Sequence, residues 1–159
     1  MQDNVHAQDD VGLYAFVYFA QTARAVLKYA DSCFNKAEGL SLVKFIVLHS
    51  LESNDKVFTL SEIASLTNTE RHNITTLVER LEKEGLVKTR RNRRDRRVVN
   101  VRITEKGKQI LAIAIPIARQ IASQIMLNAQ NSELANFVEQ LGTIKKNAYD
   151  GLGRVDPYP

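Results

Sequence analysis

The sequence predicts a mainly α fold with one small β-hairpin, and three observations carry that prediction. Apolar residues recur at helical spacing over most of the chain. Two short helical stretches joined by a tight turn occupy 59–84. Directly after them, two alternating segments flank a loop packed with arginine.

The first helix is expected from Val11 to Phe34, where Leu13, Phe16, Val17, Ala20, Leu27, Ala30 and Phe34 recur at helical spacing. Tyr14, Tyr18 and Tyr29 widen that stripe beyond what the nearby chain can cover, so part of it reads as a subunit contact. Gly39 ends the helix and Ser41 is placed to cap the next one. LVKFIVLHSL is apolar on nearly every side, the mark of a central core helix, and His49 within it reads as a core histidine. Val57 and Phe58 are expected as a very short strand beside the later ribbon.

Thr59 and Glu62 form a capping box, with Phe58 and Ile63 spaced as a hydrophobic staple. That helix ends near Leu66, and Asn68 supplies a left-handed turn residue. The second helix spans about Glu70 to Glu84, buries Ile74, Leu77, Val78 and Leu81, and stops at Gly85. Leu86–Arg91 and Arg97–Ile103 read as strands around a loop at Asn92–Arg96. Thr104 caps a long helix reaching about Asn128, which Pro116 should bend. A last helix opens at Ser132 and carries Leu134, Phe137, Val138, Leu141, Ile144 and Ala148 on one face.

Bulk properties narrow the function. At 159 residues, with 44% hydrophobic and 25% charged residues, the chain has the size and composition of one folded domain. Residues 1–10 are acidic and polar, read as a flexible tail and lack the pattern of a signal peptide. The apolar run 110–118 is too short to span a membrane. A single cysteine, Cys33, suits a reducing cytoplasm, the expected location. Three scattered histidines and one cysteine lack metal-ligand spacing, so no metal or cofactor is expected. There is no nucleophile–base constellation or phosphate-cradling glycine loop, which argues against an enzyme.

The charge points to a partner. Lys88 to Arg97 holds seven bases and one acid, a net of +6, whereas the whole chain is only +4. A near-neutral body with one cationic spike suits a polyanion met at a defined place. Two helices followed by a basic ribbon fit double-stranded DNA. In a helix-turn-helix the second helix enters the major groove with its first residues against base edges. Opposite the buried stripe stand His72, Thr75, Thr76 and Glu79, with Arg71, Asn73 and Arg80 at the flanks. Arginine suits guanine, asparagine suits adenine, and threonine suits an edge or a thymine methyl. At the ribbon tip, Arg93, Arg94, Arg96 and Arg97 surround Asp95. An arginine there can enter a minor groove, and Asp95 is expected to hold the Arg97 guanidinium through a bidentate pair. Lys88, Arg90 and Arg91 are expected on phosphates.

The segment LVERLEKEGLVKTRRNRRDRRVVNVRITEKGKQIL resembles the MarR family of winged-helix transcriptional regulators. The similarity covers about Val11 to Ala148 and is most specific in RLEKEGLV, in Asp95-x-Arg97 and in Ile103-Thr104-Glu105-Lys106-Gly107. It implies a single domain over 11–150, with a helix-turn-helix at 59–84, a wing at 86–103 and dimerisation helices at about 11–34 and 105–149; 151–159 is a tail. The implied molecule is a homodimer on a palindromic operator, and the implied function is a sequence-specific repressor released by a small aromatic ligand. The family's wing arginine falls on Arg97. The family's ligand region includes Tyr14, Tyr18, Tyr29, Phe45 and His49 here. Thr67 stands where a leucine is frequent, and His72 where a small residue is frequent, which puts base preference in question. Oxidant-sensing relatives carry their cysteine nearer the start of the first helix, so Cys33 reads as structural rather than as a sensor. The alternative readings are a winged helix that binds a protein or RNA partner, and an oxidant-sensing regulator using Cys33.

Overall fold

The computed structural model describes residues 10–37, 39–53, 57–127 and 129–153. Among them are six helices and a three-stranded antiparallel sheet, the predicted fold class. The chain divides into two compact units, 1–42 and 43–159. The tail expected over 1–10 lies outside the described residues except for Asp10, and so do residues 154–159 of the other tail.

The first unit holds α1 (Val11–Asn35). Asp10 caps it: the carboxylate accepts the Leu13 N–H at 2.8 Å, satisfying one free amide of the first turn. Only Ala30 and Phe34 of this helix are buried. Leu13, Tyr14, Phe16 and Tyr18 are each more than half exposed. The Asp31 carboxylate accepts the Leu42 N–H at 3.2 Å and so fixes the start of the next helix.

In the second unit the core is built by α2 (Leu42–Ser53), β1 (Phe58–Thr59), α3 (Leu60–Leu66), α4 (Arg71–Lys83), β2 (Val87–Arg91), β3 (Val99–Ile103) and α5 (Glu105–Ile125). Val47, Leu48 and Leu51 of α2 meet Ile63 of α3, the Ile74–Leu77–Val78–Leu81 stripe of α4, and Val87 and Val101 of the sheet. The α4 stripe is the one its sequence spacing predicts. The strand order is β1-β3-β2, with Phe58 opposite Val101 and Thr89 opposite Val101 on the other side. The short strand falls one residue later than expected. Thr59 is extended (φ −85°, ψ 159°), so it serves both as a strand residue and as the α3 cap.

Helix α2 departs from the uniform burial its composition suggests. Its buried residues are Lys44, Val47, Leu48 and Leu51, all on one side. His49 falls on the other side and is exposed, so it is not the core histidine expected from the apolar run. Lys44, by contrast, is 5% exposed, and its Nζ lies 2.6 Å from Glu84 Oε2. Burying an ammonium is unfavourable unless a carboxylate stands this close.

Helix α5 runs through Pro116 and ends at Ile125, short of the expected Asn128, which lies outside the described residues. The last helix, α6 (Asn131–Gly151), starts one residue early because the Glu133 carboxylate accepts the Gln130 N–H at 2.7 Å. No residue of α6 is buried, and Phe137, Val138 and Ile144 are exposed on it. Among the described residues no helix is long and apolar enough to cross a membrane.

Candidate nucleic-acid interface

Helix α4 is presented by its buried stripe and by the turn before it. Thr67 closes α3, Asn68 takes the left-handed conformation (φ 47°), and the chain re-enters a helix at Arg71. Glu70, the residue before the helix, makes no side-chain cap bond to the first α4 amides. Such amides favour an anionic group. With Ile74 and Leu77 inward, Arg71, His72, Asn73, Thr76 and Arg80 are exposed and Thr75 is half-buried. Thr75 and Thr76 donate their hydroxyls to the Arg71 and His72 carbonyls at 3.0 and 3.3 Å. What they offer outward is therefore methyl groups and acceptor lone pairs. Arg80 Nε is 4.0 Å from Glu84 Oε1, a loose exposed pair.

The wing is β2, β3 and the loop between them. Lys88, Arg90, Arg91, Arg93, Arg94, Asp95, Arg96 and Arg97 are all exposed. Arg97 is not a strand residue as expected, because β3 begins only at Val99. The loop folds on itself instead: Asn92 N–H donates to the Val98 carbonyl at 2.9 Å, and Val98 N–H to the Asp95 carbonyl at 3.0 Å. The expected bidentate grip of Asp95 on the Arg97 guanidinium is also replaced. Asp95 Oδ1 accepts the Arg97 backbone N–H at 2.9 Å, the local turn a short carboxylate makes most readily. Asn92 does the same for the Arg94 N–H at 2.8 Å. Two consecutive turns of this kind shape the tip without engaging the guanidinium groups.

Glu82 and Lys106, which the sequence pattern did not single out, join the helix cap Thr104 in locking the wing to α4. Glu82 accepts both the N–H and the hydroxyl of Thr89, at 2.7 and 2.9 Å, tying the end of α4 to β2. Thr104 donates to the Gly85 carbonyl at 2.7 Å and accepts the Gly107 N–H at 3.0 Å. Lys106 reaches the Glu84 carbonyl at 2.8 Å. The end of α4, the wing base and the start of α5 thus share one hydrogen-bonded junction. Gly107 belongs to it sterically: a Cβ there would stand 2.2 Å from the Leu86 carbonyl oxygen. Apart from the Thr104 cap on Gly107, these partners lie 7 to 22 residues apart, and nothing in local spacing announces them.

The junction brings the start of α4 and the wing tip to one place. A cleft of about 240 Å³ is lined by Ser61, Arg71, Asp95, Arg97 and Val98, among others. The candidate ligand residues fall into two groups. On α1, Tyr14 and Tyr18 stack with ring centres 6.0 Å apart. Tyr29, on the same helix, has its phenol raised above the ordinary 10.0, first by a hydrogen bond with Cys33 and then by desolvation. On α2, the Phe45 and His49 rings are 5.4 Å apart, and the Ser53 hydroxyl is 3.4 Å from His49 Nδ1. Cys33 is half-buried. Among the described residues no cluster of three or more His, Cys, Asp or Glu side chains is placed to hold a metal.

A helix pair joined by a tight turn, with its second helix exposed, and an arginine wing define a winged helix-turn-helix DNA-binding protein. The family model for MarR matches residues 38–98. The chain is 25% identical over 135 residues to the HTH-type transcriptional regulator SarZ of Staphylococcus epidermidis, covering 85% of this chain and 88% of that one. It is 31% identical over 107 residues to the HTH-type transcriptional repressor YetL of Bacillus subtilis, covering 67% and 64%. Its fold matches the transcriptional regulator BldR of Sulfolobus solfataricus with a TM-score of 0.78 and 26% identity, over 92% of this chain and 99% of that one. It also matches BpsR of Bordetella bronchiseptica, described with regulation of its DNA binding by 6-hydroxynicotinic acid, with a TM-score of 0.67 and 21% identity, over 80% and 98%. The chain belongs to the MarR family and is a DNA-binding transcriptional regulator.

Proposed function

We propose that the protein is a homodimeric repressor whose single functional domain spans residues 11–150 and whose two wings and two α4 helices grip a palindromic operator. The observation that carries this reading is the shared cleft: Arg71 at the start of α4 and Arg97 at the wing tip line one space. A duplex can then be met in adjacent grooves by one rigid lobe. Arg71, His72 and Asn73 read base edges in the major groove; Thr75 and Thr76 offer methyl groups and acceptors there. Arg97 enters the minor groove, while Arg80, Lys88, Arg90, Arg91, Arg93, Arg94 and Arg96 take phosphates, and Asp95 shapes the tip.

MarR-family regulators bind DNA as dimers, and the exposed apolar faces of α1 and α6 each supply what a second copy would cover. The repressor sense follows YetL, and regulation of DNA binding by a small hydroxylated aromatic, here as release, is suggested by BpsR. Tyr14, Tyr18 and Tyr29 on α1 and Phe45 and His49 on α2 are the candidate ligand contacts. Fluorescence anisotropy with duplexes from the region upstream of its own gene tests the reading. Binding that weakens steeply with salt and with Asn73→Ala is expected; salt-independent binding, or none, would overturn it.

A further inference from the structure

We propose that the outer face of the wing is a second phosphate-binding surface, centred on Arg102, that holds duplex lying beyond the half-site. This rests on the DNA-binding reading above and extends it past the reading helix. Val87 and Val101 of the wing are buried, so alternation along the strands turns Lys88, Arg90 and Arg102 outward, where all three are exposed. The register sets Lys88 directly opposite Arg102. Like charges facing each other across two strands weaken the pairing, so a stable hairpin alone would not select them.

The same face forms an open groove of about 810 Å³ lined by Lys88, Arg90, Arg91, Arg93, Asn100 and Arg102, with no carboxylate in its lining. Among the described residues, none of these five cations is in an ion pair. The cleft toward α4 is lined by Asp95 and Arg97 instead, so the wing carries a basic surface on each side. One side meets the half-site; on the other, the phosphate contacts of Lys88, Arg90, Arg91 and Arg93 continue through Arg102 onto duplex beyond it. The groove lining contains no aromatic side chain. Single-stranded nucleic acid is gripped largely by base stacking on aromatics, so the phosphates of a duplex are the occupant this chemistry fits.

The test uses the full chain and two duplexes taken from upstream of its own gene. One is trimmed to the two palindromic half-sites alone; the other extends them by about 10 base pairs, one helical turn, at each end. Wild type should bind the longer duplex more tightly and with a steeper salt dependence. Arg102→Gln should remove that gain and flatten the salt slope on the longer duplex by about 0.9 per subunit, with binding to the short duplex unchanged. Asn100→Asp, which sets a carboxylate in the groove, should do the same. Neither variant should melt below wild type, because each relieves repulsion on the face. Equal binding of the two duplexes by wild type, or equal losses on both in the variants, would overturn the proposal while leaving the DNA reading intact. Failure of wild type to bind either duplex would overturn the DNA reading and this proposal with it.

Discussion

Single residues set the shape of the wing tip. Asp95 carries two opposing effects: its charge repels phosphate, while its Oδ1 orders the loop by accepting the Arg97 N–H. Asparagine keeps the acceptor and removes the charge. Asp95→Asn should therefore bind operator at least as tightly as wild type, whereas Asp95→Ala should bind more weakly, both by anisotropy. A weaker Asp95→Asn protein would restore the ion-pair role first read from the sequence. Gly107 is decided by space alone, since any Cβ meets the Leu86 carbonyl. Gly107→Ala should lower stability by about 1–3 kcal/mol, read by thermal or urea unfolding. The need for glycine there comes from close approach, which the TEKG stretch does not reveal by itself.

At the scale of elements, α4 is held along its length by apolar contact and at its end by polar ones. Leu81 is fully buried in the core, and Leu81→Ala should destabilise the fold by about 2–5 kcal/mol. Glu82 acts differently, through its grip on Thr89 at the base of the wing. Glu82→Ala should leave α4 and the core folded, by circular dichroism, yet weaken operator binding because the wing loses its fixed angle to the helix. Full operator affinity in that variant would show that the wing finds its groove without the tie. The helices and the hairpin were legible from capping residues, period and glycine stops. Arg97 was misplaced onto a strand because alternation continues through it, while two hydrogen-bonded turns in the loop outcompete the strand pairing.

At the scale of the molecule, exposed apolar surface and concentrated charge decide behaviour. No residue of helix α6 is fully buried in one copy, and Val138 is 66% exposed. Val138→Glu should shift the protein toward monomer in sedimentation and should weaken operator binding, because two reading helices must sit about 34–36 Å apart to meet successive turns. Loss of the dimer with no loss of binding would refute the paired geometry. A dimer with several phosphate contacts should also lose roughly a thousandfold or more in affinity between 50 and 200 mM salt.

The class of fold, the order of the elements, the outward face of α4 and the position of the cationic spike can all be read along the chain. Each of these is a local matter, written in periodicity, capping chemistry or composition. Tertiary structure alone decided that Lys44 is buried against Glu84 while His49 is exposed, that Glu82 ties helix to wing, and that Arg102 stands opposite Lys88. Those facts depend on helix phase, strand register and partners distant along the chain, which no short window of residues encodes.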